Sequence, residues 1–261
     1  MAVPRIYYTY LTIFIFVLIL LNIYYTMSRR PQINTIHVIN LDKDKERWEN
    51  LEHSFEAYNI PAQRWPAVYG KNLPYLDKSF LNDYGVGETM ILESRKSKKS
   101  RNLGEVGCYL SHRNLLKHLS EMNVPDYYGH LILEDDLIVP KDLLDSNGQF
   151  SLAAHDIPYN WDIVYLYLGG PVGTKISDRV LRVEYHGENK GNWSTMAYLV
   201  RHGSIKTKIL PWLKYMIDSI DNQLKLKFNE WNVYAIMDGD EAYVKENTKA
   251  TLISSIDIAN D

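Results

Sequence analysis

Three consecutive carboxylates, Glu134, Asp135 and Asp136, have the residue types and spacing best suited to chemistry in this sequence. Apolar residues flank them at 131–133 and 137–139, a run typical of a buried strand. Because three unpaired acids inside a core would cost several kcal/mol, we expect the strand to end just before them, with the acids at its carboxyl edge. Ligands bind at that edge in open α/β sheets, and clustered carboxylate oxygens suit Mg²⁺ or Mn²⁺ held together with a substrate diphosphate. The alternative is a solvated acidic turn without function.

Other polar residues could contribute to a site at that edge, and their pattern alone leaves each interpretation open. His112 lies inside a helical pattern, where a lone histidine is more often a hydrogen-bonded core residue than a catalyst. Asp218 and Asp221 are three residues apart, so they share one face if the segment is helical. The basic segment 95–101 is either a solvated loop or a lid that closes over a diphosphate.

Strand and helix patterns alternate along the chain after residue 31. Helical spacing of apolar residues follows the first strand and recurs over residues 104–122 and 204–213. Runs rich in β-branched and apolar residues indicate strands at 36–41, 60–68, 131–133, 161–168, 180–185, 194–200 and 232–236. This order predicts an α/β fold in which helices flank a mixed, mostly parallel sheet.

The composition of the chain limits its class. The 261 residues carry a net charge of −3 and are 46% hydrophobic, which is typical of a globular protein and excludes a disordered chain. The near-neutral charge also argues against a surface for nucleic acid. Cys108 is the single cysteine, so we expect no internal disulfide and no thiolate-based zinc site, and a buried, inert thiol instead.

The first 30 residues predict a membrane anchor. No charged residue occurs from 6 to 27, and the segment 11–23 is densely apolar, whereas about 20 such residues cross a bilayer as a helix. Tyrosines at both ends resemble interfacial aromatic belts, and no small-residue cleavage site is evident. We therefore expect an uncleaved signal anchor over residues 1–30 and one catalytic domain over residues 31–261.

Four segments in order carry a resemblance to a known family. The two most specific are Gly-Glu-x-Gly-Cys-x-x-Ser-His at 104–112 and Leu-Glu-Asp-Asp at 133–136, and the others lie at 36–41 and 195–200. Together they resemble glycosyltransferase family 25, the family of the lipooligosaccharide galactosyltransferases and the procollagen galactosyltransferases. The resemblance runs over about residues 34–256, nearly all of the chain after the apolar segment.

The resemblance implies a GT-A-type, Rossmann-like fold and a metal-dependent sugar transfer with inversion at the anomeric carbon. The donor is expected to be a nucleotide sugar, most often a UDP-sugar, and the cation Mn²⁺ or, in its place, Mg²⁺. The transferred sugar is expected to be galactose or another hexose, and the acceptor a hydroxyl group of a glycan or a protein.

By the same resemblance, the three acids take the part of the Asp-x-Asp motif of such enzymes. Asp136 is then the direct metal ligand, and Glu134 and Asp135 contact the metal through water or contact the donor ribose. The metal would stabilise the charge that builds on the departing nucleoside diphosphate. The other side chains expected to contact the nucleotide are Asn40, Arg47 and Ser111.

Inversion also requires a general base that removes the proton of the acceptor hydroxyl. The resemblance favours Asp221 for this role, with Asp218 and Asp162 as competitors. It also places His112 near the nucleotide or the acceptor, so we count His112 with the catalytic candidates.

The predicted anchor and the resemblance together bear on localisation. Eukaryotic glycosyltransferases of this layout are commonly type II proteins, which implies a single-pass protein with its catalytic domain in the lumen of the ER or Golgi. Arg29 and Arg30, after the apolar segment, mildly favour the opposite orientation. In the lumen, Asn192 of the Asn-Trp-Ser sequon would be an accessible glycosylation site.

Two other functions remain possible from the sequence. A Mg²⁺-dependent phosphotransferase could use the same acids, but the chain has neither an Asp-x-Asp-x-Thr nucleophile arrangement after the strand nor a glycine-rich Walker loop. A non-catalytic, membrane-anchored binding or scaffold protein is the other alternative, and the intact acids argue against it.

Overall fold

The computed structural model describes residues 5–27, 29–72, 101–187 and 190–248. Residues 95–100 of the predicted basic segment lie outside these ranges, so the lid stays a prediction. The strands in chain order are β1 (Thr35–Asn40), β2 (Ala62–Pro66), β3 (Gly129–Glu134), β4 (Leu137–Ile138), β5 (Ile163–Gly169), β6 (Gly173–Ser177), β7 (Val180–Val183), β8 (Trp193–Arg201), β9 (Val233–Asp238), β10 (Glu241–Ala242) and β11 (Lys245–Glu246). The α-helices are α1 (Arg5–Met27), α2 (Lys45–Ala57), α3 (Arg101–Ser120), α4 (Gln149–Ala154), α5 (His202–Ser204), α6 (Leu210–Trp212) and α7 (Ile220–Lys225). The π-helical segment Ile205–Ile209 joins α5 to α6.

The central sheet has the order β2-β1-β3-β8-β5-β9-β7-β6, with β10 paired to β9. β1 is parallel to β2 and β3, and β5 is parallel to β9, whereas β8 and β7 are antiparallel to both of their neighbours. The strands β2, β1, β3, β5, β9 and β6 therefore point in one direction, and β8 and β7 point in the other. This arrangement confirms the expected α/β fold with a mixed, mostly parallel sheet.

Two apolar layers, one on each face of the sheet, form the core. Successive side chains of a strand point to opposite faces, so β3 directs Leu131 and Leu133 to one layer and Ile132 to the other. Helix α2 covers the first layer with Leu51 and Phe55, and α3 covers the second. The carboxyl end of β3 is therefore enclosed between α2 and α3.

Helix α3 forms because its apolar residues recur at helical spacing on one face. Its fully or nearly fully buried apolar residues are Val106, Tyr109, Leu110, Leu115, Leu116 and Leu119. Gly107 allows a close approach of the chain that follows β2, because a Cβ at this position would lie 2.6 Å from the Val68 carbonyl oxygen and 2.8 Å from the Gly70 nitrogen. Gly107 of the 104–112 motif thus has a packing role of its own.

The prediction of an N-terminal membrane anchor is wrong. Among the described residues, no helix combines the length and the apolarity that are needed to cross a membrane. The apolar segment does form the helix α1. The finding on helix length and apolarity also overturns the predicted single-pass, type II localisation.

Candidate active site

The three acids lie where β3 ends, and strand alternation directs them to different neighbours. Glu134 is the last residue of β3 and lies opposite Ile39 of β1. Because Ile132 faces α3, Glu134 two residues later also turns toward α3, whereas Asp135 turns toward α2. Asp136 lies in the turn between β3 and β4. Three adjacent charges therefore have three different sets of surroundings.

Glu134 is held by α3 from one side and by β8 from the other. His112 Nε2 lies 3.2 Å from Glu134 Oε1, and Thr195 Oγ1 donates to the same oxygen at 2.7 Å. His112 Nδ1 lies 3.0 Å from the Tyr198 hydroxyl, so both nitrogens of this fully buried ring are engaged. Burial raises the pKa of Glu134, but the bonds from His112 and Thr195 outweigh burial and lower that pKa below its ordinary value. Glu134 is therefore ionised at neutral pH.

Asp135 is held by donors from β1 and α2. Asn40 Nδ2 donates to Asp135 Oδ2 at 2.7 Å, and Arg47 forms an ion pair with Oδ1 at 3.0 Å. Arg64 of β2 donates from Nε to Asn40 Oδ1 at 2.7 Å and pairs with Asp42 at 2.6 Å. A guanidinium only donates, so Arg64 fixes which end of the Asn40 amide is oxygen and turns the amide nitrogen toward Asp135. The orientation of Asp135 is thus set by a chain of contacts across three elements.

Asp136 differs from Glu134 and Asp135. Its Oδ1 atom is buried and has no hydrogen-bond partner among the residues that the structure describes. Burial, followed by the charges of Glu134 and Asp135, raises the pKa of Asp136 to about 7. An orphaned carboxyl oxygen next to a second carboxylate fits a hard divalent cation, which would supply the missing interaction. Asp136 and Glu134 are therefore a donor set that fits Mn²⁺ or Mg²⁺.

The C-terminal strand β11 brings another acid to this edge. β11 pairs with β4, and the Asn247 amide donates to the Asp136 backbone oxygen at 2.7 Å. The Tyr167 hydroxyl, on β5, donates to Glu246 Oε2 at 3.4 Å. Burial, and then the charges of Glu246 and Asp136, raise the pKa of Tyr167. The Tyr167 hydroxyl therefore lies close to both acids.

Asp221, in the first turn of α7, reaches the same edge from the α3 side. Its Oδ2 accepts from the Ser194 backbone amide at 3.2 Å, and its Oδ1 accepts from Ser219 Oγ at 2.7 Å. Ser194 precedes Thr195, whose hydroxyl is bonded to Glu134. The structure thus brings Asp221 to the neighbourhood of the acids.

The two competing aspartates lie in different settings. Asp218 is exposed and accepts from the Ser219 backbone amide at 2.7 Å. Asp162 is buried at the opposite edge of the sheet, just before β5, where it pairs with Lys208 at 2.6 Å and accepts from Ser204 Oγ at 2.6 Å. Its contacts indicate a structural ion pair at the amino end of β5.

Ser111 contacts the backbone rather than the acids in its described bonds. Its Oγ donates to the Gly107 carbonyl oxygen at 2.6 Å and accepts from the Val68 amide at 2.8 Å. These bonds hold the chain after β2 against α3. A contact between Ser111 and a nucleotide stays a prediction.

The expected accessible glycosylation site is wrong. Asn192 is 1% exposed, and both ends of its side-chain amide are bonded. Its Oδ1 accepts from the Val172 amide at 2.7 Å, and its Nδ2 donates to the Glu184 carbonyl oxygen at 2.7 Å. In the folded protein this amide is a structural contact and is not free for modification.

Three residues of the edge were missed by sequence reasoning, namely Arg64, Thr195 and Glu246. Arg64 gave a usable signal, since a charged residue inside a short strand next to β1 suggests a polar partner. Thr195 belonged to a recognised segment but carried no signal that it would contact Glu134. Glu246 lies in a segment without a pattern, and only the pairing of β11 with β4 places it.

Comparisons with known proteins give the family to which this chain is similar. The sequence model of glycosyltransferase family 25, described as LPS biosynthesis protein, matches residues 33–172. A glycosyltransferase 25 family member of Drosophila melanogaster is 32% identical over 123 residues, which are 45% of this chain and 19% of that protein. Procollagen galactosyltransferase 1-B of Xenopus laevis is 28% identical over 140 residues, 52% of this chain and 21% of that protein.

The chain thus aligns with about a fifth of the length of these curated relatives. The family match includes β1, α2, α3, β3 and the turn after β3, which together carry Asn40, Arg47, His112 and the three acids. It covers more than half of the chain, and this chain belongs to glycosyltransferase family 25.

Proposed function

We propose that this chain is a metal-dependent, inverting glycosyltransferase whose catalytic domain occupies residues 31–261. It moves galactose or another hexose from a UDP-sugar to a hydroxyl group of a glycan or a protein. The observation that carries the proposal is the orphaned Oδ1 of Asp136 beside Glu134, at the edge where the family-matched strands end. The galactosyltransferase names of the Xenopus laevis relatives support galactose as the sugar.

The donor side of the proposed site is built from residues on both faces of β3. A bound Mn²⁺ or Mg²⁺ would supply Lewis-acid stabilisation of the diphosphate leaving group. Asp136 and Glu134 would hold the ion, and His112 positions Glu134 through its 3.2 Å contact. Asp135, which Asn40 and Arg47 fix, is placed to accept a hydrogen bond from the donor ribose.

The acceptor side of the proposed site centres on Asp221. Its carboxylate takes the proton of the acceptor hydroxyl as that oxygen attacks the anomeric carbon, and the bonds from Ser194 and Ser219 keep it in place. Trp193, next to Ser194, is 51% exposed and lies against Gly169, where any side chain would collide with its ring. An exposed indole beside the base offers an apolar face on which an acceptor sugar can rest.

The test of this proposal is release of UDP by the full chain from a panel of UDP-sugars, with Mn²⁺ or with EDTA, and with or without simple sugar acceptors. We expect metal-dependent release from one donor, reduced more than about 100-fold in Asp136→Asn, since loss of even an outer-shell partner of a metal costs about 10–100-fold. Asp178→Asn is the matched control, because Asp178 is an exposed aspartate on the β6–β7 turn.

Three outcomes would contradict the proposal. Release that survives Asp136→Asn would show that Asp136 is not the metal ligand. No release from any donor by folded protein, with acceptors present, would favour the non-catalytic binding or scaffold alternative. Transfer of the phosphate rather than the sugar would favour the phosphotransferase alternative.

A further inference from the structure

A group of sulfur, nitrogen and oxygen donors lies beside the proposed donor site and shares Glu134 with it. Cys108, His112 and Glu134 each offer one ligand atom, and these atoms all lie within 4.8 Å of one another. Among the described residues, this is the one group of three such side chains that converge so closely. Contrary to expectation, Cys108 is half-buried and lies next to functional candidates.

Two features of the fold bring these three side chains together, the spacing along α3 and the direction of the last side chain of β3. Cys108 and His112 are four residues apart on α3, so they lie one above the other on the same helix face. Glu134 is the last residue of β3 and turns toward α3, where its Oε1 meets His112 Nε2 at 3.2 Å. The donor atoms therefore converge between a helix and a strand that are both held by the core.

Nearby hydroxyl groups orient His112 and Glu134. Hydrogen-bond partners orient the ligands of metal sites in the same way. The Tyr198 hydroxyl contacts His112 Nδ1 at 3.0 Å, which leaves Nε2 directed at Glu134. Thr195 Oγ1 donates to Glu134 Oε1 at 2.7 Å. The ring and the carboxylate are thus held in place before any ion arrives.

The local charge also favours a cation. Burial, and then the charges of Glu134, Asp221 and Asp136, raise the pKa of the Cys108 thiol well above its ordinary value. The same carboxylates attract a divalent cation, and a bound cation would counter their effect on the thiol. The proton released when the thiolate binds the ion passes to the buffer.

We propose that Cys108, His112 and Glu134 form a second cation site that takes a borderline-soft divalent ion of the Zn²⁺ and Co²⁺ class. One thiolate, one imidazole and one carboxylate are ligands of that class, whereas Mn²⁺ and Mg²⁺ prefer oxygen ligands alone. Three protein ligands leave a fourth tetrahedral position for water. Glu134 belongs to this second cation site and to the proposed donor site, so occupancy by Zn²⁺ withdraws Glu134 from Mn²⁺ and inhibits transfer. This inhibition rests on the proposed function, but the binding does not.

The experiment is titration of the full chain with Co²⁺, followed by absorption spectroscopy. Thiolate ligation gives a sulfur-to-cobalt charge-transfer band in the near ultraviolet, and Cys108 is the single cysteine of the chain, so the band can arise from no other residue. We expect the band to form in the native protein, to disappear on addition of Zn²⁺, which binds more tightly than Co²⁺, and to persist in excess Mn²⁺. Cys108→Ser should abolish it.

Matched variants distinguish a site formed by all three ligands from Co²⁺ that is held by the Cys108 thiolate alone. His112→Gln and Glu134→Gln should each weaken Co²⁺ binding at least about tenfold, whereas Asp136→Asn should retain the band. Circular dichroism of each variant identifies any that fails to fold, and the glutamine variants test the site even if Cys108→Ser misfolds. A band that is unchanged in both glutamine variants, or Co²⁺ binding by folded native protein without the band, would overturn the proposal.

A kinetic arm tells the two proposals apart. If UDP release is found, Zn²⁺ should inhibit it in the native protein, and Cys108→Ser should need at least about tenfold more Zn²⁺ for equal inhibition. Inhibition at equal Zn²⁺ in both proteins would contradict the inhibitory role. If no UDP release is found but the charge-transfer band forms, the second cation site stands and the proposed function fails.

Discussion

Strands β1, β3 and β8 lie side by side in the sheet, and each carries polar side chains at both of its ends. At one edge of the sheet these are Asn40, Glu134 and Thr195, together with Asp135 and Asp136 just after β3. At the other edge they are Thr35, His37, His130 and, just after β8, His202, which we call the histidine chain. The two edges share the same strands and the same core, and both contain buried histidines.

The histidine chain satisfies its own hydrogen bonds. Thr35 Oγ1 lies 3.0 Å from His37 Nε2 and 2.8 Å from His130 Nδ1, and His130 Nε2 lies 3.2 Å from His202 Nδ1. Burial lowers the pKa of His37 to about 4 and that of His130 to about 3, with further lowering by neighbouring histidines. These two rings are therefore neutral at pH 7, and both are bonded to Thr35 Oγ1, as expected of a structural network.

The acidic edge differs because the contacts among its residues do not satisfy all three of its carboxylates. His112 is as buried as His130, but it contacts the ionised Glu134, and one residue further on Asp135 is paired with Arg47. Asp136 keeps an oxygen without a partner among the described residues. A buried histidine alone thus does not indicate a site in this protein, whereas an unmet buried acceptor next to two paired carboxylates supports the proposed site.

The largest expected effect is on turnover, at Asp221. Asp221→Asn should lower the rate of sugar transfer by about 100-fold or more with little change in the KM for the donor, because a general base contributes about 10²–10⁴-fold. Asp218→Asn is the matched control three residues earlier and should change neither quantity, since Asp218 is exposed. Steady-state kinetics on both variants decide the matter, and equal losses in the two would remove Asp221 from the role.

A smaller effect, on the KM for the donor, is expected from Arg64 at the acidic edge. Arg64→Gln should raise the KM for the donor by about tenfold, because Asn40 loses the group that orients its amide toward Asp135. Arg201→Gln is the matched control at the histidine edge, where Arg201 donates to the Asp126 backbone oxygen at 3.2 Å, and it should leave that KM unchanged. An unchanged KM for the donor in Arg64→Gln would show that Arg64 does not contribute to donor binding.

The smallest effect is on stability, and here the two edges should respond to pH with opposite sign. Unfolded histidines bind protons near pH 6.5, whereas folded His37 and His130 do so only near pH 4 and pH 3, so their contribution to the free energy of unfolding falls as pH drops from about 7 to 4. Asp136 has a folded pKa of about 7, above its ordinary value of 3.8, so its contribution to the free energy of unfolding rises over the same fall in pH.

Urea unfolding at about pH 5 and pH 7, without divalent cations, measures both contributions. His130→Gln should flatten the loss of stability in acid, and Asp136→Asn should steepen it, each by roughly 1–2 kcal/mol. Circular dichroism follows the transition. Variants that shift the pH dependence in the same direction would show that the two edges are electrostatically alike.

Much of the fold followed from local patterns. The apolar runs at β1, β3, β5 and β8 are long and bounded by turns, and the 3.6-residue spacing in α3 is regular, so strand and helix are each favoured whatever surrounds them. The predicted end of β3 at the acids is also a local matter, because a run of charges cannot continue into a core.

The expectations that failed depended on surroundings that a pattern does not contain. The Asn-Trp-Ser sequon is not accessible because the Asn192 side chain bonds Val172 and Glu184 in neighbouring parts of the chain. The prediction of a membrane anchor rested on the number of consecutive apolar residues. No described helix meets the combined requirement of length and apolarity.

The sequence by itself determined that three carboxylates end a buried strand, and the period of two in that strand sends Glu134 and Asp135 to opposite faces. Only the tertiary structure decided which of them would be balanced. Arg47 reaches Asp135 across 88 positions of the chain, and Thr195 reaches Glu134 across 61. Asp136 Oδ1 receives no hydrogen-bond partner among the described residues, and burial, followed by the charges of Glu134 and Asp135, raises the pKa of Asp136. Spacing along a chain fixes the direction of a side chain, whereas the cost of burying its charge depends on contacts between distant segments.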